Sequence, residues 1–152
     1  IERIQSSGIT VNGCFILGLD GDTPDVFEDV YRFVRDAGLY EVQITIMTAF
    51  PGTPLYDRLH KEGRIIRERA WELCTLFDIN FLPKNMSVNE LQDGFVGLAK
   101  ILYSQEVTQD RQSRFRRMLR QSPNFHRKTH SQEGESNDTE IDQDPVPRRR
   151  DL

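Results

Sequence analysis

Cysteine is scarce in this chain of 152 residues: there are two, Cys14 and Cys74, sixty residues apart. That spacing excludes a CxxC-type metal site, and two thiols cannot build a disulfide framework. Buried thiols in a reducing compartment are the simple expectation, which places the chain in the cytoplasm. Long apolar runs are also missing. None approaches the ~20 residues that span a bilayer, and no signal peptide is recognisable. Basic charge is not in excess. The formal net charge is −4, so the whole molecule has no nucleic-acid signature. Neither a GxGxxG fingerprint nor a Walker lysine occurs. The first residue is not Met, and Ile1 to Ser7 reads as the last turns of a helix stopped by Gly8. The expectation is a piece of something longer.

What is present begins with Gly13 to Thr23, GCFILGLDGDT. An apolar run ends at Gly18, a Gly/Asp turn follows, and Thr23-Pro24 opens a helical pattern. Ile9 to Leu17 reads as a strand whose faces are both largely apolar, which predicts cover on both sides, as in a flanked parallel sheet or a barrel. Thr23 is the expected N-cap, with Pro24 at the first helical position. Val26, Phe27, Val30, Tyr31, Phe33, Val34 and Ala37 recur at helical spacing, and Gly38 ends the helix. Tyr40 to Met47 alternates as a second strand. Strand, helix and strand with short connections predict a right-handed crossover and parallel strands. The second junction, Thr48-Ala-Phe-Pro-Gly-Thr-Pro54, repeats the cap-plus-proline device before a short helix stopped by Gly63. A full barrel takes about 250 residues, so only two strand–helix units of one fit here.

Residues 64–86 are apolar without clean periodicity. Ser87-Val-Asn-Glu90 spells a capping box, and Leu91, Phe95, Leu98 and Leu102 form the stripe of a helix over 88–104. A second helix is expected over 107–120, rich in arginine: Arg111, Arg114, Arg116, Arg117 and Arg120. From 123 to 152 the composition turns polar and acidic, and disorder is the expectation.

The chemistry-bearing residues leave several readings open. Asp20, Asp22 and Asp25 cluster after the first strand but lack the EF-hand pattern. Acids at a helix N-terminus face the dipole favourably, and three of them argue against a bound phosphate. The strand ending in Asp20-Gly-Asp22-Thr23 also resembles haloacid-dehalogenase phosphatases, with Asp20 as nucleophile and Asp22 as general acid, although Pro24 stands where that family has threonine. His126 and His130 have metal-ligand spacing only if helical, and a solvated basic patch is the simpler account. The arginine helix reads as a solvated face that the acidic stretch can screen in cis. Gln43 and Thr45 are polar residues on an otherwise apolar strand and face a pocket if the sheet belongs to a barrel.

Taken together, Gly8-Ile-Thr-Val-Asn-Gly-Cys-Phe-Ile-Leu-Gly-Leu-Asp-Gly-Asp-Thr-Pro, Asp36-Ala-Gly, and Thr48-Ala-Phe-Pro-Gly-Thr-Pro-Leu-Tyr-Asp-Arg-Leu resemble the last third of a radical SAM barrel, and more narrowly the cobalamin-binding radical SAM proteins. Phe77-Asp-Ile-Asn-Phe-Leu-Pro-Lys-Asn-Met-Ser and Glu90-Leu-Gln-Asp-Gly-Phe resemble that subgroup's C-terminal extension. The resemblance implies an α/β fold: the last two βα units of a partial TIM barrel over 1–66, a helical extension over 67–122 and a disordered tail over 123–152.

It further implies S-adenosylmethionine cleavage at a [4Fe–4S] cluster, with cobalamin serving C-methylation or related radical chemistry on a small-molecule or lipid-like substrate. The adenine of S-adenosylmethionine would map to Ile16, Gly18 and Leu19 and to Thr48, Ala49 and Phe50. The CxxxCxxC loop, the methionine-binding glycine segment and the cobalamin domain do not occur in these residues. No metal ligand or catalytic residue is therefore assigned, and none of the three cofactors is expected to bind the chain stably alone. The partner implied is the N-terminal part of the same enzyme. Two unpaired strand edges, and with them aggregation, are expected of the isolated piece. The competing expectation is a non-catalytic α/β interaction module.

Overall fold

A computed structural model describes residues 1–122. A short helix α1 (Glu2–Gln5) leads into strand β1 (Asn12–Leu17), helix α2 (Val26–Asp36), strand β2 (Glu41–Ile46) and helix α3 (Pro54–Lys61). A single 3-10 turn at Trp71–Leu73 interrupts a long irregular segment. Helices α4 (Val88–Leu102) and α5 (Gln105–Gln121) then close the described chain. The two strands are parallel, with Asn12 opposite Glu41 and Leu17 opposite Ile46, as the crossover predicts. The expected polar and disordered stretch 123–152, with His126 and His130, lies outside the described residues.

Capping chemistry sets most of the boundaries. Thr53 accepts from the Tyr56 amide at 3.3 Å with Pro54 at the first helical position. At α4 the capping box is complete: the Glu90 amide donates to the Ser87 hydroxyl and the Ser87 amide to the Glu90 carboxylate. The Thr23 expectation fails. Helix α2 starts at Val26, Asp25 occupies its N-cap position, and no side chain caps it. The cause is local: the Val26 amide bonds the Thr23 carbonyl rather than its hydroxyl, at 3.0 Å. Thr23 and Pro24 thus form a turn ahead of the helix. Strand β1 is shorter than the apolar run suggests, because Ile9 to Val11 precede the paired register, although the Val11 carbonyl still accepts from the Glu41 amide at 3.2 Å.

Helices α2 and α4 lie together on one face of the sheet, packing Val30, Val34, Leu91, Phe95 and Leu98 around Leu17, Val42, Ile44 and Ile46. Burial of each such side chain is worth roughly 1.5–3 kcal/mol. Close approach of the two helices requires Gly94, whose absent Cβ would fall 2.1 Å from the Phe27 ring. The core runs without a break from residues before position 66 to residues after it. At the end of α4, Arg111 of α5 is buried and donates to the Leu102 carbonyl at 2.7 Å. A guanidinium at a helix C-terminus meets the negative end of its dipole, so this contact pins α5 to α4.

The opposite face of the sheet corrects the expected two-sided cover. Asn12, Cys14 and Ile16 of β1 are exposed there, as are Glu41 and Gln43 of β2. Ile16 is 57% exposed. The two outer edges of the sheet are not alike. The outer edge of β2 is partly occupied: the Ile44 amide bonds the Tyr103 hydroxyl at 3.2 Å, and the Ile46 amide bonds the Leu76 carbonyl at 2.8 Å. Neither strand has a second neighbouring strand among the described residues, and no comparable bond reaches the outer edge of β1. The extension folds back over part of one edge, so the two unpaired strand edges expected are present but unequal: that of β2 is partly covered and that of β1 is bare.

Candidate functional site

Both strands end at the same edge of the sheet, and the loops that leave them face each other there. At the end of β1, Gly18 turns the chain with φ of +87°, a conformation that favours glycine. The amides of Gly18 and Leu19 both donate to Asp22 Oδ2, each at 2.9 Å. Asp20 is gripped from two sides, by Arg58 of α3 and by Arg64 just beyond it, the latter at 2.8 Å. The Arg64 guanidinium and then that of Arg58, close beside it, hold the Asp20 carboxyl below the usual carboxylate range. The Asp20 carbonyl also accepts from Asn85 Nδ2 at 2.8 Å. Asp20 and Asp22 are therefore committed to structure. A phosphatase nucleophile has to be free to attack, and its general acid has to reach a leaving group. Neither condition is met here.

At the end of β2 the chain is held by the segment 74–80, which crosses the sheet edge. Thr48 is buried, and its hydroxyl lies 2.5 Å from the Thr75 carbonyl. Ala49 is fully buried and bridged by one side chain: its amide donates to Asn80 Oδ1 at 3.1 Å, and its carbonyl accepts from Asn80 Nδ2 at 2.9 Å. Asn80 thus mimics a piece of strand. Phe50 stays 40% exposed.

Between the two loops lies a cleft of about 500 Å³, mostly apolar, lined by Ile16, Leu19, Thr45, Thr48, Phe50 and Leu55 together with Leu76. Asp20 and Arg58 stand at its polar side. Of the residues expected to hold an adenine, Ile16, Leu19, Thr48 and Phe50 converge on this cleft. Gly18 and Ala49 do not line it. A Cβ at Gly18 would meet Leu91 and Phe81, so that glycine serves the packing of the loop onto α4. Thr45 does line the cleft and turns its hydroxyl to the Phe15 carbonyl at 3.2 Å. Gln43 stands on the open face near Cys14, outside the cleft.

Leu76, Arg58, Arg64 and Asn80 are the residues that sequence reasoning missed. The signal for Asn80 was present as a lone amide inside the apolar run Ile79-Asn-Phe81. No such signal marks Arg58 or Arg64, whose partner is distant in sequence.

The residues fit the cofactors of the resembled family unequally. An apolar cleft with an aromatic rim suits an adenine face. An iron–sulfur cluster is not accommodated. Cys14 lies on the open face of β1, whereas Cys74 lies against Ala70 and Asn80, and no third thiol exists in the sequence. Among the described residues, no three His, Cys, Asp or Glu side chains converge to hold a metal ion. No helix among them is long and apolar enough to cross a membrane.

Comparison with known proteins places the chain. Residues 53–142 match the family model described as a domain of unknown function, DUF4070. The hopanoid C-2 methylase of Rhodopseudomonas palustris is 40% identical over 68 residues, covering 45% of this chain and 13% of that protein. The bacteriochlorophyllide d C-12(1)-methyltransferase of Chlorobaculum tepidum is 24% identical over 103 residues, 68% of this chain and 22% of that protein. The anaerobic magnesium-protoporphyrin IX monomethyl ester cyclase of Cereibacter sphaeroides is 24% identical over 107 residues, 70% of this chain and 17% of that protein. The chain thus spans between an eighth and a quarter of the length of these relatives. It belongs to the DUF4070 family and corresponds to the C-terminal portion of B12-binding radical SAM proteins.

Proposed function

We propose that this chain forms one wall of an S-adenosylmethionine site in a cobalamin-dependent radical SAM enzyme that methylates carbon in an apolar, lipid-like small molecule. One observation carries the reading: Ile16, Leu19, Thr48 and Phe50, from two successive strand ends, line one apolar cleft at the carboxyl edge of a parallel pair. Ligands of open parallel sheets and barrels bind at that edge. Ile16, Leu19 and Phe50 would pack on the adenine, and Thr48 would fix the wall against the extension. The cluster and the cobalamin supply reductive cleavage and methyl transfer when bound, and their ligands come from elsewhere in the enzyme. The exposed face of β1 and its open edge are then surfaces that the preceding part of the enzyme covers. By itself the chain is inactive.

The test is a graft. Residues 1–122 replace the matching segment of the Rhodopseudomonas hopanoid C-2 methylase, and both 5′-deoxyadenosine release and product methylation are followed anaerobically. Ile16→Asp and Phe50→Asp should raise KM for S-adenosylmethionine at least tenfold, as expected when a charge is buried against an apolar ligand face. An unchanged KM in both variants of an active graft overturns the assignment. The isolated chain, reconstituted with iron and sulfide, should develop no stoichiometric iron–sulfur absorption.

A further inference from the structure

The last described helix carries a charge pattern that the cleft does not use. After Asp110, α5 contains no acidic residue, yet it holds Arg111, Arg114, Arg116, Arg117 and Arg120. Arg111 is buried against α4, and Arg114 pairs with Asp110 at 2.8 Å. Arg116, Arg117 and Arg120 are exposed, and among the described residues no ion pair reaches them. Arg116 and Arg120, at i and i+4, are neighbours on the helix surface, and Arg117 stands about 100° round from Arg116, so the three span roughly a third of the circumference. The apolar side of α5 is already occupied: Phe115 packs edge-on against Tyr40 with ring centres 4.9 Å apart. What remains outward is therefore cationic rather than amphipathic, which disfavours a membrane surface as its partner.

The complementary charge lies in the same chain. Residues 131–144 contain Glu133, Glu135, Asp138, Glu140, Asp142 and Asp144 and no basic residue. Only positions 123–130, eight residues, separate this stretch from Ser122 at the end of α5. Eight residues reach at most about 27 Å, and α5 itself is roughly 26 Å long by its rise per residue. The acidic stretch can therefore reach any point on the helix. The family match is continuous from residue 53 to residue 142, so it takes in both α5 and most of the acidic stretch.

We propose that the acidic segment 131–144 docks in cis on the guanidinium face formed by Arg116, Arg117 and Arg120. Single exposed ion pairs are weak. Tethering changes the balance, because a short linker holds the segment near its target at an effective concentration in the millimolar range. The association is then electrostatic, easily displaced, and set by ionic strength. It keeps the cationic face from other polyanions while leaving the cleft untouched.

Paramagnetic relaxation tests this on the full chain. A nitroxide is attached at Thr139→Cys in a Cys14→Ser, Cys74→Ser background. At about 20 mM NaCl, where the screening length is ~20 Å, the amides of residues 114–121 should lose about half their intensity or more. At about 500 mM, where it is ~4 Å, they should recover. Arg116→Gln, Arg117→Gln and Arg120→Gln combined should abolish the low-salt loss. No loss at low salt overturns the proposal, as does a loss that survives high salt or the triple substitution. Loss seen only when spin-labelled, unenriched chain is mixed with unlabelled, isotope-enriched chain assigns the contact to a second copy and overturns the cis arrangement. None of these readouts depends on the cleft, so the proposal stands or falls separately from the S-adenosylmethionine site.

Discussion

Replacing Asn80 should unfold the link between the extension and the end of β2. Asn80 is 4% exposed and satisfies both backbone groups of Ala49, a residue with no exposure at all. Asn80→Ala removes two hydrogen bonds and strands a buried N–H and a buried C=O. Each orphaned group costs roughly 1–3 kcal/mol. Because the segment can relax together, a total of about 3–5 kcal/mol is expected, a large share of the ~5–15 kcal/mol typical of a domain. The midpoint of urea unfolding, followed by far-UV circular dichroism, should fall by about 2 M.

Asn80→Leu separates polarity from volume. It fills the space but leaves the same two groups unpaired, so it should cost nearly as much as alanine. Asn80→Asp adds a sign test. The carboxylate accepts from the Ala49 amide but faces the Ala49 carbonyl, which needs a donor. Its folded-state pKa is therefore raised above the ordinary value of ~4. Such a group contributes fully below the unfolded pKa and loses its contribution as pH rises through the folded one. This variant should therefore sit closer to the parent in acid than at neutral pH. A loss below about 1 kcal/mol for both Ala and Leu would refute the reasoning.

Gly18→Ala should destabilise by about 2–4 kcal/mol, since it combines a positive φ with overpacking. Its Cβ would fall 2.9 Å from Leu91 and 3.1 Å from Phe81, and an unshifted urea midpoint would show that the loop does not rest on α4. Asp20→Asn should flatten the acid limb of the stability curve. The depressed folded pKa of Asp20 contributes stability above the unfolded value of ~3.8, lost as pH falls through the folded one; an acid limb as steep as the parent's contradicts the double clamp. Ser87→Ala removes one half of the capping box and should cost about 1 kcal/mol in a thermal melt, and a change within error would mean that the helix start is held by packing alone.

The elements that local chemistry specifies were legible in the sequence. Thr53-Pro54, the Ser87–Glu90 box and the Leu91, Phe95, Leu98, Leu102 stripe announce themselves through contacts within one or two turns. The parallel pair followed from crossover handedness and short connections. Elements fixed by distant partners were not legible. Thr23 looks like a cap, but its role depends on a turn whose carboxylate, Asp22, reaches back to Gly18 and Leu19. Ile16 sits between Phe15 and Leu17 in an apolar run that suggests cover on both faces, while only the placement of α2 and α4 on one side reveals the open one. Of the candidate site, the strand ends were readable from glycine and apolar runs. The contribution of Leu76 was not, because it arrives from an aperiodic segment some thirty residues beyond the end of β2.

The asymmetry of the sheet edges has a consequence for how such a piece behaves in solution. A strand pair open on both sides can add a neighbour at each and grow without limit, as fibres do. Here Leu76 and Tyr103 take up two of the amides on one side. A second copy that pairs through β1 would present that partly occupied side outward, a poorer template for a further strand. The segment that holds the cleft wall in place thus also shields part of an edge that would otherwise invite pairing.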